Sequence, residues 1–305
     1  MKSIPLSLGM TLAFSSFAAF SVSDACSKLL GGKLDPFEVA FSGGVFGFLL
    51  LPFIRKKHET YMDIFSTGQP GMWILRAVAT FVATAASVKA FMLLPMPEAL
   101  SLMFLMPLFV TILSVGLLKE RVNGWAWVSV VLGFLGVLIV LRPGARELHF
   151  GHLCALVAAL ANAVGVIAYR LAGPDSARLS LFGSSLFGPL IGDGALMFTH
   201  ATWPHGFSIW FCLFGYGFLA ALGQLLMMMA TALAPANRVA LPQYSQMLWA
   251  VVFSYFLFHQ PLDGWTFAGI VVVTASGMIN WIRQHLRYER DVIEEYWKKQ
   301  HHHVH

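Results

Sequence analysis

The sequence predicts an all-α polytopic membrane protein, with ten transmembrane helices forming two inverted five-helix repeats and both termini in the cytoplasm. Three observations predict it. The 305 residues are 57% hydrophobic and only 11% charged, too little polar surface to clothe a soluble globule. The apolar residues fall in blocks of about 20, the length a helix needs to cross a hydrocarbon core roughly 30 Å thick. The Lys and Arg residues collect in alternate short loops, and the chain repeats itself at an offset of 140 residues.

The blocks are bounded by charge, Gly and Pro. The first, 6–29, runs through Asp24 and Lys28 with no clear cleavage site, so it reads as a helix rather than a signal peptide. The second, 36–54, follows Asp35 and ends at Arg55; the longest polar break, Arg55 to Pro70, separates it from 71–93. Blocks 97–118 and 124–141 flank Lys119-Glu120-Arg121, and 151–171 and 178–199 flank a short loop with Gly173-Pro174. Blocks 207–233, 236–258 and 263–283 complete the set. The chain divides into a first repeat at 1–145, a second at 146–285, and a charged tail at 286–305 expected to lie at the cytoplasmic surface.

With the N-terminus inside, fourteen of the 20 cations fall on the inner side, from Lys2 through Lys119 and Arg238 to Lys299. Only Lys33, Arg142 and Arg146 fall outside, while Lys28, Arg76 and Lys89 lie within spans. Because cations of short loops are retained on the cytoplasmic side, this asymmetry places both termini inside. Topology therefore accounts for the formal charge of +5, and no basic face interleaved with aromatics points to nucleic acid.

The offset of 140 lays Ala90 to Trp125 on Ala230 to Trp265, bringing Pro95 onto Pro235, Gly124 onto Gly264 and Trp125 onto Trp265. An offset of 142 aligns Gly9 with Gly151 and Lys28-Leu29 with Arg170-Leu171. Five helices per repeat is odd, so the second repeat enters the membrane in the opposite sense. The loops agree: Lys119-Glu120-Arg121 is basic, whereas its counterpart His259-Gln260-Pro261 has lost both cations. Inverted repeats of this kind build carriers, in which one half rocks against the other around a central site.

These residues resemble the drug/metabolite transporter superfamily, in its EamA-type ten-helix form. The carriers of the resemblance are Asp24-x-x-x-Lys28, Arg76, Leu94-Pro95 through Glu98-Ala99, Pro107-Leu108 and Lys119-Glu120-Arg121-Val122 before Gly124. The second half echoes them in Ala234-Pro235-Ala236, Arg238-Val239-Ala240, Pro242-Gln243-Tyr244 and Gly264. The chain departs from the pattern at Ser42-Gly43-Gly44, where many relatives carry Arg, and at Gln260-Pro261, where Glu is usual. The resemblance implies a bacterial inner-membrane exporter or permease for amino acids or related metabolites, with a cavity between the halves.

Ionisable groups within a bilayer are costly and face a cavity or a partner, so each is a candidate. Asp24 and Lys28, four apart on one helix face, share an outer depth with Lys89 and Glu98. They could form an outer gate, carry a coupling proton, or hold helices together as an ion-pair network. Arg76 could bind an anionic substrate group or snorkel to the inner headgroups. A midmembrane polar set, Asn162, Gln224, Gln243, Tyr244, Gln246 and Trp249, suits an amphipathic substrate; its structural alternative is interhelical hydrogen bonding. Asp193 stands among Gly188, Gly192 and Gly194, where small residues let helices approach closely and Pro189 could kink the span.

No phosphate-binding loop, metal-ligand pair or nucleophile beside a base is present, and Cys26, Cys154 and Cys212 are unpaired by spacing. No cofactor or metal is therefore expected. The sequence reads as a secondary transporter working by alternating access, an exporter of amino acids or related compounds. The alternatives are an importer or facilitator of a nucleoside-like or chelating metabolite, and a non-transporting scaffold or sensor. The expected partners are a small-molecule substrate, the lipid bilayer and protons as a possible coupling ion, with the chain a monomer or weak dimer.

Overall fold

The computed structural model describes residues 6–55, 59–65, 69–119, 124–142, 149–172, 178–200, 204–233, 242–260, 262–276 and 278–279. The expected tail from 286, the repeat residue Arg238 and the loop cations Lys56, Lys57 and Arg121 lie outside this part. Every described regular element is helical. In chain order they are α1 (Leu6–Leu29), α2 (Pro36–Gly47), α3 (Leu51–Ile54), α4 (Pro70–Leu93), α5 (Met96–Met103), α6 (Met106–Leu117) and α7 (Gly124–Leu141). There follow α8 (Phe150–Ala172), α9 (Arg178–Gly188), α10 (Gly194–His200), α11 (Phe207–Leu233), α12 (Gln243–Phe256) and α13 (Gly264–Ser276). Among the described residues, six helical stretches are long and apolar enough to cross a membrane.

Local sequence explains the starts and breaks. Asp35 caps α2: its carboxylate accepts from the Phe37 amide at 2.9 Å, while Glu38 accepts from the Asp35 amide at 3.0 Å, with Pro36 in the first turn. The block expected at 97–118 is two helices, broken at Phe104 and Leu105. Pro107 has no amide to donate and its ring would clash with the Met103 carbonyl, so an unbroken helix cannot form there. The block at 178–199 is likewise interrupted, by a π-helical turn at Pro189–Asp193 between α9 and α10. The block at 36–54 passes through a 3₁₀ turn at Phe48–Leu50.

The helices pack as exchange of the two halves requires. The repeat pairs α1 with α8, α4 with α11, α2 with the α9–α10 segment, and α5–α6 with α12. In the structure α1 lies against α11 and α4 against α8, which are the same pairing with the halves swapped. The contact of α2 with α11 is matched by that of α4 with α9, and the contact of α1 with α12 by those of α8 with α5 and α6. Helices α7 and α13 cross at glycines. A Cβ on Gly133 would lie 3.1 Å from Ser276 Oγ, and one on Gly136 2.7 Å from Val273 Cγ2; the offset of 140 exchanges these two contacts.

Small residues and hydroxyls hold the bundle together, since burying apolar surface gives little drive to helix association in lipid. Ser16 Oγ donates to the Gly223 carbonyl at 2.8 Å and Ser23 Oγ to the Tyr216 carbonyl at 2.8 Å, tying α1 to α11. Trp73 Nε1 donates to the Ser180 carbonyl at 3.1 Å, tying α4 to α9. Arg142, just past α7, pairs with Asp263 before α13.

Candidate functional site

Between α1, α2, α4, α8, α9 and α11 lies a cavity of about 280 Å³. Its walls carry Asp24, Asn162, Tyr216, Gln224 and a set of hydroxyls that includes Thr80 and Thr84, with Phe20 and Phe182 as aromatic surface. A second cavity of about 520 Å³ is lined by Arg76, Met106, Val166, Leu181, Met227 and Met228. Thr80, Asn162 and Gln224 wall both, so the two form one vestibule. Asp24 stands at one end and Arg76 at the other, with neutral hydrogen-bonding groups between them. Opposite charges at separate ends of one cavity can orient a ligand that carries both.

Two further polar contacts involve residues that line neither cavity. Glu98 and His152 are both buried, with Glu98 Oε1 2.8 Å from His152 Nε2. Lys28 Nζ donates to the Leu94 carbonyl at 2.5 Å and to the Phe91 carbonyl at 3.2 Å, and lies 5.3 Å from the centre of the Phe258 ring. A cation is well placed there, because the last carbonyls of α4 are unsatisfied and carry the negative end of the helix dipole.

Of the four outer ionisable groups, Lys28 and Glu98 lie within electrostatic range of each other. Although four residues apart, Asp24 and Lys28 have different partners: Asp24 Oδ2 accepts from Gln246 Nε2 at 2.9 Å. Lys89 lies with Val82, Ala85 and Ala86 in a groove that also contains Phe150 and Cys154. The central cavity sees another face of α4, through Thr80, Ala83, Thr84 and Ser87.

The midmembrane set also divides. Asn162 and Gln224 line the vestibule, and Asn162 Nδ2 donates to the Ala158 carbonyl of its own helix at 3.0 Å. Gln246 reaches the site through Asp24. Gln243 lines neither cavity, and Trp249 is 40% exposed and stacks on Phe253, so α12 turns it outward. The side chain of Tyr244 lies outside the described part.

The sequence pattern of the EamA-like transporter family matches residues 7–142 and again 149–281. The chain belongs to that family. Among curated relatives, the S-adenosylmethionine uptake transporter of Rickettsia prowazekii is 26% identical over 260 residues, covering 85% of this chain and 87% of the relative. The riboflavin transporter of Vibrio cholerae is 28% identical over 203 residues, covering 65% of this chain and 67% of that one. One solved crystal structure superposes with a TM-score of 0.61 over 90% of this chain and 96% of its own, at 16% identity, which supports the fold alone. Both named relatives are metabolite transporters, and neither name supports the amino-acid export expected from the sequence.

In this EamA-family protein several site groups carry no family signature and were not singled out in the sequence. Tyr216 hides as an ordinary aromatic between Gly215 and Gly217, yet it walls the central cavity. His152 is a lone polar residue at the head of an apolar block, and that was its only signal. Replacing it tests the Glu98–His152 contact. His152→Ala removes one partner of the buried Glu98 carboxyl, which is expected to cost about 1 kcal/mol, read as a lower melting temperature of the purified protein. Glu98→Gln, which keeps a hydrogen-bonding side chain, is expected to lose less; equal melting of parent and His152→Ala protein would remove the contact from the account.

Proposed function

We propose that this EamA-family protein is a secondary transporter that takes up a nucleoside-like, amphipathic metabolite bearing both charges, with S-adenosylmethionine the leading candidate. It works by alternating access in a bacterial inner membrane. The observation that carries the proposal is the vestibule of two cavities with shared walls, Asp24 on one and Arg76 on the other. S-adenosylmethionine has a sulfonium and an ammonium for a carboxylate, a carboxylate for a guanidinium, and an adenine for aromatic and amide walls. Phe20, Tyr216, Asn162 and Gln224 supply those walls, and a cavity of this size suits a small-molecule ligand. The name of the S-adenosylmethionine relative favours uptake over export.

The same proposal holds the ten spans as inverted repeats at 1–145 and 146–285, both termini in the cytoplasm and the tail from 286 at the inner surface. The Lys and Arg distribution supports this arrangement, and so does the exchange of packing partners between halves. In that topology Arg76, Met227 and Met228 face the cytoplasm, and the Lys28 and Glu98–His152 contacts are the closed outer gate. Substrate would enter when those contacts part.

Proteoliposome uptake of labelled S-adenosylmethionine decides it. The expected result is saturable uptake that unlabelled S-adenosylmethionine blocks, that riboflavin blocks less, and that a pool of amino acids leaves alone. Flux of amino acids with none of S-adenosylmethionine would overturn the substrate assignment and restore amino-acid transport.

A further inference from the structure

Asp193 lies outside the site described above. It closes the π-helical turn between α9 and α10 and has no solvent exposure. Its Oδ2 is 3.1 Å from Thr84 Oγ on α4, and its Oδ1 has no hydrogen-bond partner. Helices α2, α4, α9 and α10 pack around this turn. On α2 the titratable group is Glu38, engaged with the Asp35 amide at the start of that helix. On α4, Lys89 is five residues and Arg76 eight residues from Thr84, about 7.5 and 12 Å along the axis. Lys89 faces the groove and Arg76 the second cavity. The described side chains of α9 and α10 include no ionisable group apart from Asp193's own turn. Tyr216 of α11 is within electrostatic range of both Asp193 and Asp24. Among the described residues, none forms an ion pair with Asp193.

The Thr84 hydroxyl is over-subscribed in an informative way. It has one proton, yet it sits 2.9 Å from the Thr80 carbonyl, 3.0 Å from the Phe81 carbonyl and 3.1 Å from Asp193 Oδ2. Carbonyls only accept. Two arrangements satisfy the geometry. With Asp193 ionised, Thr84 turns its proton to the carboxylate and leaves the carbonyls. With Asp193 protonated on Oδ2, the carboxyl O–H donates to Thr84, and Thr84 donates to its own helix as threonines commonly do. The second arrangement leaves only a neutral carbonyl oxygen unpartnered, whereas the first leaves half of a buried anion so, in surroundings without a counter-charge. Thr84 also walls the central cavity, so the hydroxyl stands between Asp193 and the substrate space.

We propose that Asp193 is a proton-binding site of the transport cycle, taking its proton from water in the central cavity and returning it there past the Thr84 hydroxyl. Each turnover then moves one proton between cavity water and the carboxyl, and Thr84 reverses its donor direction as it does so. The π-helical turn supplies the means, because such turns insert a residue that re-aims its neighbours and recur at functional sites. Gly188 and Gly192 in and before the turn lie hard against Ala77 and Phe81, so a change at Asp193 is felt directly by α4. This inference rests on the carrier reading for its place in a cycle, but proton binding itself can be measured without any substrate.

The experiment is infrared difference spectroscopy of the purified full-length protein as pH is stepped, in H₂O and D₂O, on the parent, Asp193→Asn and Thr84→Val. The expected result is a deuterium-sensitive carboxylic-acid C=O band in the parent. It should be absent in Asp193→Asn and displaced in frequency in Thr84→Val, which removes the partner of Oδ2 without touching the acid. If Asp193→Asn fails to fold, the Thr84→Val displacement still decides. A parent spectrum without the band, or a band that neither substitution alters, overturns the proposal. In proteoliposomes the parent's S-adenosylmethionine uptake should respond to an imposed pH gradient and that of Asp193→Asn should not. If S-adenosylmethionine is not carried but the band behaves as stated, the substrate assignment fails and the proton site stands.

Discussion

Asp24→Asn is expected to weaken S-adenosylmethionine uptake by one to two orders of magnitude in KM, with little change in the amount of folded protein in the membrane. Among the described residues, Asp24 is the one carboxylate on the wall of the central cavity, and the substitution removes its charge while keeping a group that can accept from Gln246. A hydrogen bond to a charged group is worth about 1.5–3 kcal/mol net, and each 1.4 kcal/mol is tenfold in affinity, which sets the range. Gln246→Ala removes only the partner that aims Asp24, so its effect should be smaller and of the same kind. Radiotracer uptake across a concentration series, normalised to protein per vesicle, checks both. Parental KM in Asp24→Asn would take Asp24 out of the site and leave Arg76 and the amides to hold the ligand.

Gly188→Ala should have a larger effect on the fold than any substitution at the site. A Cβ there would lie 2.1 Å from the Ala77 carbonyl oxygen and 2.9 Å from the Ala77 carbonyl carbon, both rigid backbone of α4. Because the clash cannot be relieved by a side-chain rotation, α9 and α4 must separate, and overpacking of this sort costs about 1–3 kcal/mol or more. The expected result is a loss of monodisperse protein in detergent-solubilised membranes. Gly116→Ala is the control: nothing lies within 4 Å of its Cβ position in α6, and alanine is the better helix former by about 1 kcal/mol. Fluorescence-detected size exclusion of the two variants beside the parent gives the comparison, and a normal profile for Gly188→Ala would mean that the α4–α9 contact is looser than described.

Much of the architecture was legible because membranes impose simple rules. A helix that must satisfy its own backbone in lipid shows itself as an apolar block, and Pro189 marks a break in one, whereas the break before Pro107 falls inside a block read as a single span. The repeat was legible because Pro95 and Pro235, Gly124 and Gly264, and Trp125 and Trp265 recur at one offset. The site was only partly so. Helical spacing says which residues share a face but not which neighbour that face meets. Gln243, Gln246 and Trp249 follow one another at intervals of three, yet only Gln246 meets Asp24, while Trp249 turns outward. Lys28 has a stem long enough to leave its own helix and reach the end of α4, so pairing it with Asp24 on spacing alone misses its partner.

By itself, the sequence determined that this is a helical membrane protein built from two related halves, with the class of a carrier. Composition, loop charge and an internal repeat are properties of the chain, and they need no knowledge of how helices face one another. The tertiary structure alone decided that Asp24 and Arg76 line two cavities with shared walls, that His152 meets Glu98, and that, among the described residues, Thr84 is the hydrogen-bond partner of Asp193. Those facts depend on the rotation of each helix about its axis, and that rotation is set by close contacts at Gly188, Gly133 and Gly136, between residues distant in the chain.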